Sequence, residues 1–497
     1  MNNTWNWKGA RWWKFDFHSH TPASSDFGKG VALSSHQEIS YKDWLISYMK
    51  QGVDCVAITD HNSGAGIDPL KKALSELRKE GNEFYREIIL FPGVELSVQG
   101  NIHILAIFGR DKTSSDIDSL IGAVKYRGTK GKSDGCSECS ASEVIDEITK
   151  QGGLAIPAHV DQEKGLFTLA GATLEQVLEN KNIIAMEVVD ISKDKPQLYI
   201  DKKLTWSEVL GSDSHHLSGS CNQHYPGSHF TWVKMSEPCL EGLRLALIDG
   251  DLSLKRSDCN TEDPNDYAGI CIENIQIQKA KYLGMNNIFS CELNPWLNSI
   301  IGGRGTGKST ILEFLRIALD RRDEIPQSIA KDFDKYKQIS KSRQDEGLLK
   351  ADTKIQVIVR KDGSRFRITW NCAENIHSIE EEKEGIWKPS QGSVALRFPV
   401  RLFSQKQIFE LAKQPQGLLK VIDDAQEVHY REWEQKNREL TSEYLASRAR
   451  ERVIETQLHE ESVVNGQLED VKRKILIFEN NSHKEVLQCY RKKRKSV

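Results

Sequence analysis

Five short apolar runs recur along the first half of the chain: VDCVAIT (53–59), EIILFPGVEL (87–96), NIHILAIFG (101–109), GGLAIPAH (152–159) and NIIAMEVVD (182–190). Helical patterns separate them. Runs this short, apolar at almost every position, read as strands buried on both faces, the pattern of parallel strands covered by helices. So many in succession predict a closed or nearly closed β/α barrel over residues 1–255.

Side chains able to bind metal stand at the ends of these runs. Asp60 and His61 follow VAIT, Glu95 follows ILFPGV, and His103 lies inside its run. His159 follows LAIPA, and Asp213 and His215 follow SEVL. His18, His20 and Asp26 fall in FDFHSHTPASSD, directly after the first apolar-aromatic stretch. Barrel active sites form at the rim where the C-terminal strand ends converge. One buried histidine is usually a packing residue, but a set of strand-end imidazoles and carboxylates points to a multinuclear metal site. That ligand chemistry suits zinc, manganese or iron better than calcium or magnesium.

The motif order H-x-H, S-D-x-G, T-D-H, G-x-E-L, an isolated His, A-H and S-D-x-H resembles the polymerase-and-histidinol-phosphatase (PHP) superfamily over residues 14–235. The resemblance implies a distorted β/α barrel that hydrolyses phosphate esters at two or three divalent transition metals. It places His18, His20, Glu95 and Asp213 on one ion, with Glu95 bridging to a second held by His103 and His159. Asp26, His61 and His215 would hold the third. Asp60 and His216 are expected to orient imidazoles. The loop KYRGTKGKSDG, with Lys125, Arg127, Lys130 and Lys132, reads either as a solvated loop or as a basic lid over substrate phosphates.

A second motif lies in LNSIIGGRGTGKSTILEFLRIAL. Gly302, Gly303, Arg304, Gly305, Thr306, Gly307, Lys308, Ser309 and Thr310 make a complete G-x-x-x-x-G-K-[ST] loop, set between an expected strand (SII) and an amphipathic helix. Backbone N–H groups would cradle the phosphates of ATP, Lys308 would reach the β/γ oxygens, and Ser309 would ligate Mg²⁺. TKIQVIVRKDGSRFRITW then reads as a β-hairpin about Asp-Gly. This order, followed by FSQKQ and a long charged helix, resembles the ATP-binding-cassette ATPases of the SMC and RecF/RecN class. The resemblance assigns Gln405, with Gln407 second, to the glutamine loop near Mg²⁺. The whole resembles TrlF-type PHP–ATPase proteins, with an ATPase lobe at 268–424 and a helical coiled-coil arm at 425–497.

No ABC signature is visible, and LLKVIDDAQ, with Lys420 interrupting it, reads as a helix start rather than a Walker B strand. The ATPase half is therefore expected to be truncated, or completed by a partner or a second copy. Its own ATP turnover is expected to be negligible. A net charge of −3 gives no global pull toward nucleic acid, ten scattered cysteines suit a reducing cytoplasm, and no apolar stretch is long enough for a membrane span. The expected function is a nuclease or phosphodiesterase acting on nucleic acid, DNA first, under control of the ATPase. The alternatives are a small-molecule phosphatase and an ATP-switched DNA tether with the barrel as scaffold.

Overall fold

The computed structural model describes all residues except 1–4, 30–38, 219–223, 261, 343, 414–418, 420–421, 424–427, 481–482 and 497. The contacts divide into two compact units: Met1–Arg322 with Asp334–Val400, and Asp323–Phe333 with Arg401–Val497.

In the first unit the apolar-aromatic stretch becomes strand β1 (Arg11–Asp16), and the five apolar runs become β2 (Cys55–Ile58), β3 (Ile89–Val98), β4 (Ile102–Ile107), β5 (Leu154–Pro157) and β6 (Ala185–Glu187). They are followed by β7 (Ser207–Val209), β8 (Thr231–Met235) and β9 (Leu254–Arg256). Seven of them form one curled sheet in the order β9-β8-β1-β2-β3-β4-β5, and β6 pairs with β7 in a separate parallel ribbon. Val160 N donates to Glu187 O beside β5, and Leu210 N donates to Thr231 Oγ1 in β8, tying the ribbon to the sheet. The result is a distorted half-barrel.

The strands are not all parallel as the run pattern predicted. The pairs β1–β2 and β2–β3 are parallel, while β3–β4, β4–β5, β1–β8 and β8–β9 are antiparallel. For β3–β4 the reason is connection length. Gln99, Gly100 and Asn101 alone join β3 to β4, and a parallel crossover needs roughly a dozen residues or more. Gly100 and Asn101 turn the chain at φ 90° and 57°. Burial on both faces still holds: every residue of β2 and β4 is buried.

Helix α1 (Tyr41–Lys50) starts at a Ser40–Asp43 capping box and buries Trp44, Leu45, Tyr48 and Met49. Each such side chain contributes about 1.5–3 kcal/mol through burial. The same face holds two loop segments, because Trp44 Nε1 donates to His20 O at 2.7 Å and Tyr48 Oη bonds Ser214 Oγ at 2.8 Å.

A second, antiparallel sheet contains β10 (Ile270–Gln278), β11 (Phe289–Glu292), β12 (Lys354–Lys361), β13 (Ser364–Asn371), β14 (Ile376–Lys383) and β15 (Ile386–Ser390). Their order is β11-β10-β12-β13-β14-β15. The expected hairpin is β12–β13, closed by Asp362 and Gly363 at φ 49° and 81°, the two left-handed residues that a type I′ turn requires. Helix α2 (Lys308–Ala318) follows the phosphate loop and buries Phe314, Leu315, Ile317 and Ala318.

The strand expected at 299–301 does not form: the segment is irregular, no described strand pairs with it, and Ile301 is 94% exposed. A short apolar segment becomes a strand only where a neighbouring backbone offers a ladder.

In the second unit, helix α3 (Gln405–Lys413) precedes the 50-residue helix α4 (Tyr430–Glu479), which is solvent-exposed along its length and runs through Gly466. The helix start read at 418–426 lies largely outside the described residues. No described helix is long and apolar enough to cross a membrane.

Candidate metal centre

The His-Ser-His step shows how local structure aims both imidazoles. Ser19 turns to the neighbouring strand, its Oγ donating to Ala57 O at 2.6 Å and its N to Thr59 Oγ1 at 2.9 Å. Alternation along an extended chain then sends His18 and His20 to the opposite side, where their Nε2 atoms lie 3.2 Å apart. Glu95 on β3 and His103 on β4 meet across the antiparallel pair, with Ser97 directly opposite His103 and Glu95 one diagonal step away.

Glu95 is the hub. Its carboxylate oxygens lie 2.5 Å from His103 Nδ1, 2.6 Å from His61 Nδ1 and 3.2 Å from His159 Nε2. They lie 3.6 and 3.7 Å from the Nε2 atoms of His18 and His20. Asp213 Oδ1 adds contacts of 3.5 Å to His18 and 3.1 Å to His20. Beside this group, Asp26 Oδ2 lies 3.1 Å from His61 Nε2 and 3.4 Å from His215 Nε2. All nine sequence-predicted residues therefore come together. Ligand-capable atoms converge in three groups: His18–His20–Glu95, Glu95–His103–His159 and His20–His61–His215.

The residues fit divalent ions on chemistry and on geometry. Six imidazoles and three carboxylates form a nitrogen/oxygen set of the kind transition metals take. Glu95 Oε2 and His61 Nδ1 sit 2.6 Å apart yet outside hydrogen-bond geometry, and Asp26 Oδ1 is buried without a hydrogen-bond partner. Such buried atoms normally have a partner.

The charges are mutually adapted. Burial would raise Glu95, but His103, His61 and His18 hold it well below the usual carboxylate range. Burial opposes protonation of His61, yet Glu95 and Asp26 lift it to about 10. His20 goes the other way, to about 3, through burial and the neighbouring His215 and His61.

His159 and Asp213 adopt left-handed backbone, with φ 29° and 46°. For residues other than glycine this costs on the order of 1–3 kcal/mol, a strain characteristic of functional sites. Hydrogen bonds hold both: His159 N donates to Glu187 Oε2 at 3.0 Å, and Asp213 N to His18 O at 2.8 Å.

Glu187 is the important residue that the run-end pattern missed. It is 1% exposed on β6 and accepts His18 Nδ1–H at 2.8 Å, His159 N–H at 3.0 Å and Gly211 N–H at 3.2 Å. One carboxylate thus ties three ligand-bearing segments together. The signal was present: a glutamate inside NIIAMEVVD would be buried, and a buried charge needs partners. Glu187→Gln keeps the shape and removes the charge. It is expected to weaken metal binding about 10–100-fold, measured by chelator competition.

Asp60 does not orient an imidazole as expected. It accepts bonds from Thr21 N, Thr21 Oγ1 and Ser24 Oγ at 2.7 Å each, and Ser24 Oγ in turn contacts His20 Nδ1 at 3.2 Å. Asp60 therefore shapes the loop and reaches the ring at one remove. His216 is half-buried and makes no hydrogen bond to the nine residues among those described.

The basic loop is anchored rather than free. Gly131 N donates to His61 O and Gly131 O accepts from Ser25 N, while Arg127 pairs with Glu138 and Lys130 with Asp118.

Gly211 packs against His18 with no room to spare: a Cβ there would lie 2.5 Å from His18 N and 2.7 Å from His18 Cβ. Gly211→Ala is expected to cost about 1–3 kcal/mol of stability and to displace His18, read by thermal melting together with metal content.

At the phosphate loop, Gly305 and Gly307 take φ 83° and 93°, conformations open to glycine, and helix α2 begins at Lys308. Lys308 Nζ donates to Gly302 O at 2.7 Å and Gly303 O at 2.6 Å, folding the lysine over its own loop. Gly305, Thr306, Gly307 and Thr310 line a cavity of about 190 Å³ shared with Tyr282 and Phe314. Ser309 lies in the first turn of α2, and Arg304 is exposed.

The AAA domain family matches here. Residues 274–495 carry this domain. The AAA domain thus takes in the phosphate loop, the second sheet and the long helix. Within the AAA domain, Gln405 is the exposed first residue of α3, and Gln407 is buried with its side-chain amide on Glu324 O at 3.0 Å.

A curated Streptococcus pneumoniae protein, described as uncharacterized, is 32% identical over 90 residues, 18% of this chain and 35% of that protein. The lesion-specific endonuclease Q of Pyrococcus furiosus superposes with a TM-score of 0.37 at 17% identity, over 50% of this chain and 58% of its own. A Bifidobacterium adolescentis protein assigned as a metal-dependent phosphoesterase gives 0.30 at 16% identity, over 48% and 96%. The chain thus spans about a third of the curated relative and little more than half of the endonuclease.

Proposed function

We propose that the half-barrel is a metal-dependent phosphoesterase of the PHP kind, acting on phosphodiesters of nucleic acid, with DNA as the first candidate. The observation that carries this reading is one buried carboxylate, Glu95, within 2.5–3.7 Å of five imidazoles. Packing gives no reason for so many imidazoles around one acid. His18, His20, Glu95 and Asp213 would hold one ion, Glu95, His103 and His159 a second, and Asp26, His61 and His215 a third. Manganese and zinc suit these ligands first and iron next. When bound, ions of this kind polarise phosphoryl oxygens and acidify a water between them.

The chain's own residues supply the order. Glu187 accepts a hydrogen bond from His18 Nδ1–H, which leaves Nε2 facing Glu95 and Asp213. Asp16 Oδ1 accepts from both His18 N and Ser212 N, so the loops after β1 and β7 keep a fixed spacing.

The AAA domain would bind ATP with Mg²⁺ through residues 302–310 and regulate the barrel. Incubating Mn²⁺- or Zn²⁺-loaded protein with labelled single- and double-stranded DNA, RNA and a generic phosphodiester, with and without ATP, tests the reading. Cleavage of nucleic acid supports it. Activity confined to small phosphomonoesters would favour a phosphatase, and no hydrolysis by a metal-replete protein would leave a tether.

A further inference from the structure

A cavity of about 580 Å³ opens where the segment before β1, the linker at 263–267 and β12 come together, all within the first unit. Arg11 begins β1, Asp54 precedes β2 and Arg86 precedes β3. The cavity therefore stands at the strand ends opposite those that carry His18, His20 and His61. It shares no residue with the metal centre or the phosphate loop.

Its walls are aromatic. Trp5 and Trp7 meet Tyr267 edge-on, with ring centroids 6.0 and 5.2 Å apart, and the Arg360 guanidinium lies 5.3 Å over the Trp7 ring. Asn265 pins the linker to β1 by exchanging side-chain bonds of 2.9 Å with Trp12 N and Trp12 O.

Three donors on lining residues are buried without a hydrogen-bond partner: Trp5 Nε1, Arg11 Nε and Trp232 Nε1. Trp232 itself is only 7% exposed. A buried N–H normally has a partner, so three around one cavity call for an occupant rich in acceptors. Charge narrows its chemistry. Arg86 pairs with Asp54 at 2.5 Å and Arg360 with Glu273 at 2.7 Å, so a bare phosphate meets little uncompensated positive charge. Asp263 and Asp266 each accept one backbone N–H through Oδ1, from Asn265 and Tyr267, which leaves Oδ2 to accept from an occupant. A flat ring that carries both acceptors and a donor meets all these demands, and a nucleobase is such a ring.

We propose that this cavity binds the base of a nucleoside phosphate, stacked on the indole rings. Its ring nitrogens and carbonyls take the unpartnered indole N–H groups, and its exocyclic amine or ribose hydroxyls reach Asp263 and Asp266. A volume of this size is that of an ordinary small-molecule site. Because the lining draws on β1, β8 and β12, the occupant touches both sheets. The site is separate from the metal reading and from ATP at residues 302–310. A free nucleotide and a single-stranded nucleic acid offer the same base, and the experiment tells them apart.

The test titrates the four common nucleoside monophosphates, inorganic phosphate and a short single-stranded oligonucleotide into full-length, Mg²⁺-free protein by calorimetry. Monophosphates lack the β/γ oxygens that Lys308 would reach, so the phosphate loop contributes little to this signal. At least one monophosphate or the oligonucleotide should bind saturably, and phosphate alone should not. Trp7→Ala should weaken that binding about 10-fold or more by removing a stacking face. Trp232→Phe keeps an aromatic ring, removes one indole N–H and should weaken binding about 3–10-fold. Circular dichroism confirms that both variants fold. Binding by monophosphates identifies a free nucleotide as the occupant, and binding by the oligonucleotide alone identifies a single strand. No binding by either, equal binding by phosphate, or an affinity unchanged in either folded variant would each overturn the proposal.

Discussion

Glu95→Gln should strip most of the metal from the barrel and lower phosphoester hydrolysis by on the order of 100-fold or more. Loss of an outer-shell partner alone costs about 10–100-fold, and Glu95 is the group that the inner ligands share. The substitution is close to isosteric, so packing around the side chain should persist. What changes is charge: a neutral amide replaces a carboxylate that has His61, His103 and His159 within 3.2 Å. Elemental analysis of the variant beside the wild type, with circular dichroism to confirm folding, reads the effect. A folded variant with full metal content and full activity would remove Glu95 from the centre.

Lys308→Ala should separate the two activities. Lys308 Nζ already reaches the carbonyls of Gly302 and Gly303, so the ammonium is positioned over the loop that would cradle the phosphates. Removing a charged donor from a phosphate costs about 1.5–3 kcal/mol, roughly 10–100-fold in nucleotide affinity. Hydrolysis of a generic phosphodiester should stay unchanged, because no hydrogen bond or ion pair joins residues 302–310 to the nine barrel residues among those described. Calorimetric titration with ATP and a parallel phosphodiesterase assay measure both. Equal loss of both activities in a folded variant would contradict a modular protein.

Much of the half-barrel was legible because burial on both faces leaves a direct trace in composition: the apolar runs at 53–59 and 101–109 became strands buried throughout. Strand direction left a weaker trace. For β3 and β4 it depended on the three-residue link Gln99–Asn101 rather than on the runs themselves. The imidazoles and carboxylates could be found by type and position at strand ends. Glu187 stood inside its run rather than after it, and its role depends on β6 passing beside His18, a contact across 169 positions of sequence. The expected strand at 299–301 failed for a related reason: pairing needs a neighbour, and apolar residues alone do not supply one. Asp60 was placed beside the centre correctly, but adjacency in sequence hid that its bonds go to Thr21 and Ser24.

The most direct test of the account is the metal content of the purified full-length protein, expressed with manganese or zinc available and measured by elemental analysis, with anomalous scattering from crystals to place the ions. The account predicts more than one ion per chain, with density between Glu95 and the imidazoles of His18, His20, His103 and His159. Protein that is folded, carries no divalent ion, and takes up none on addition of Mn²⁺ or Zn²⁺ would contradict it.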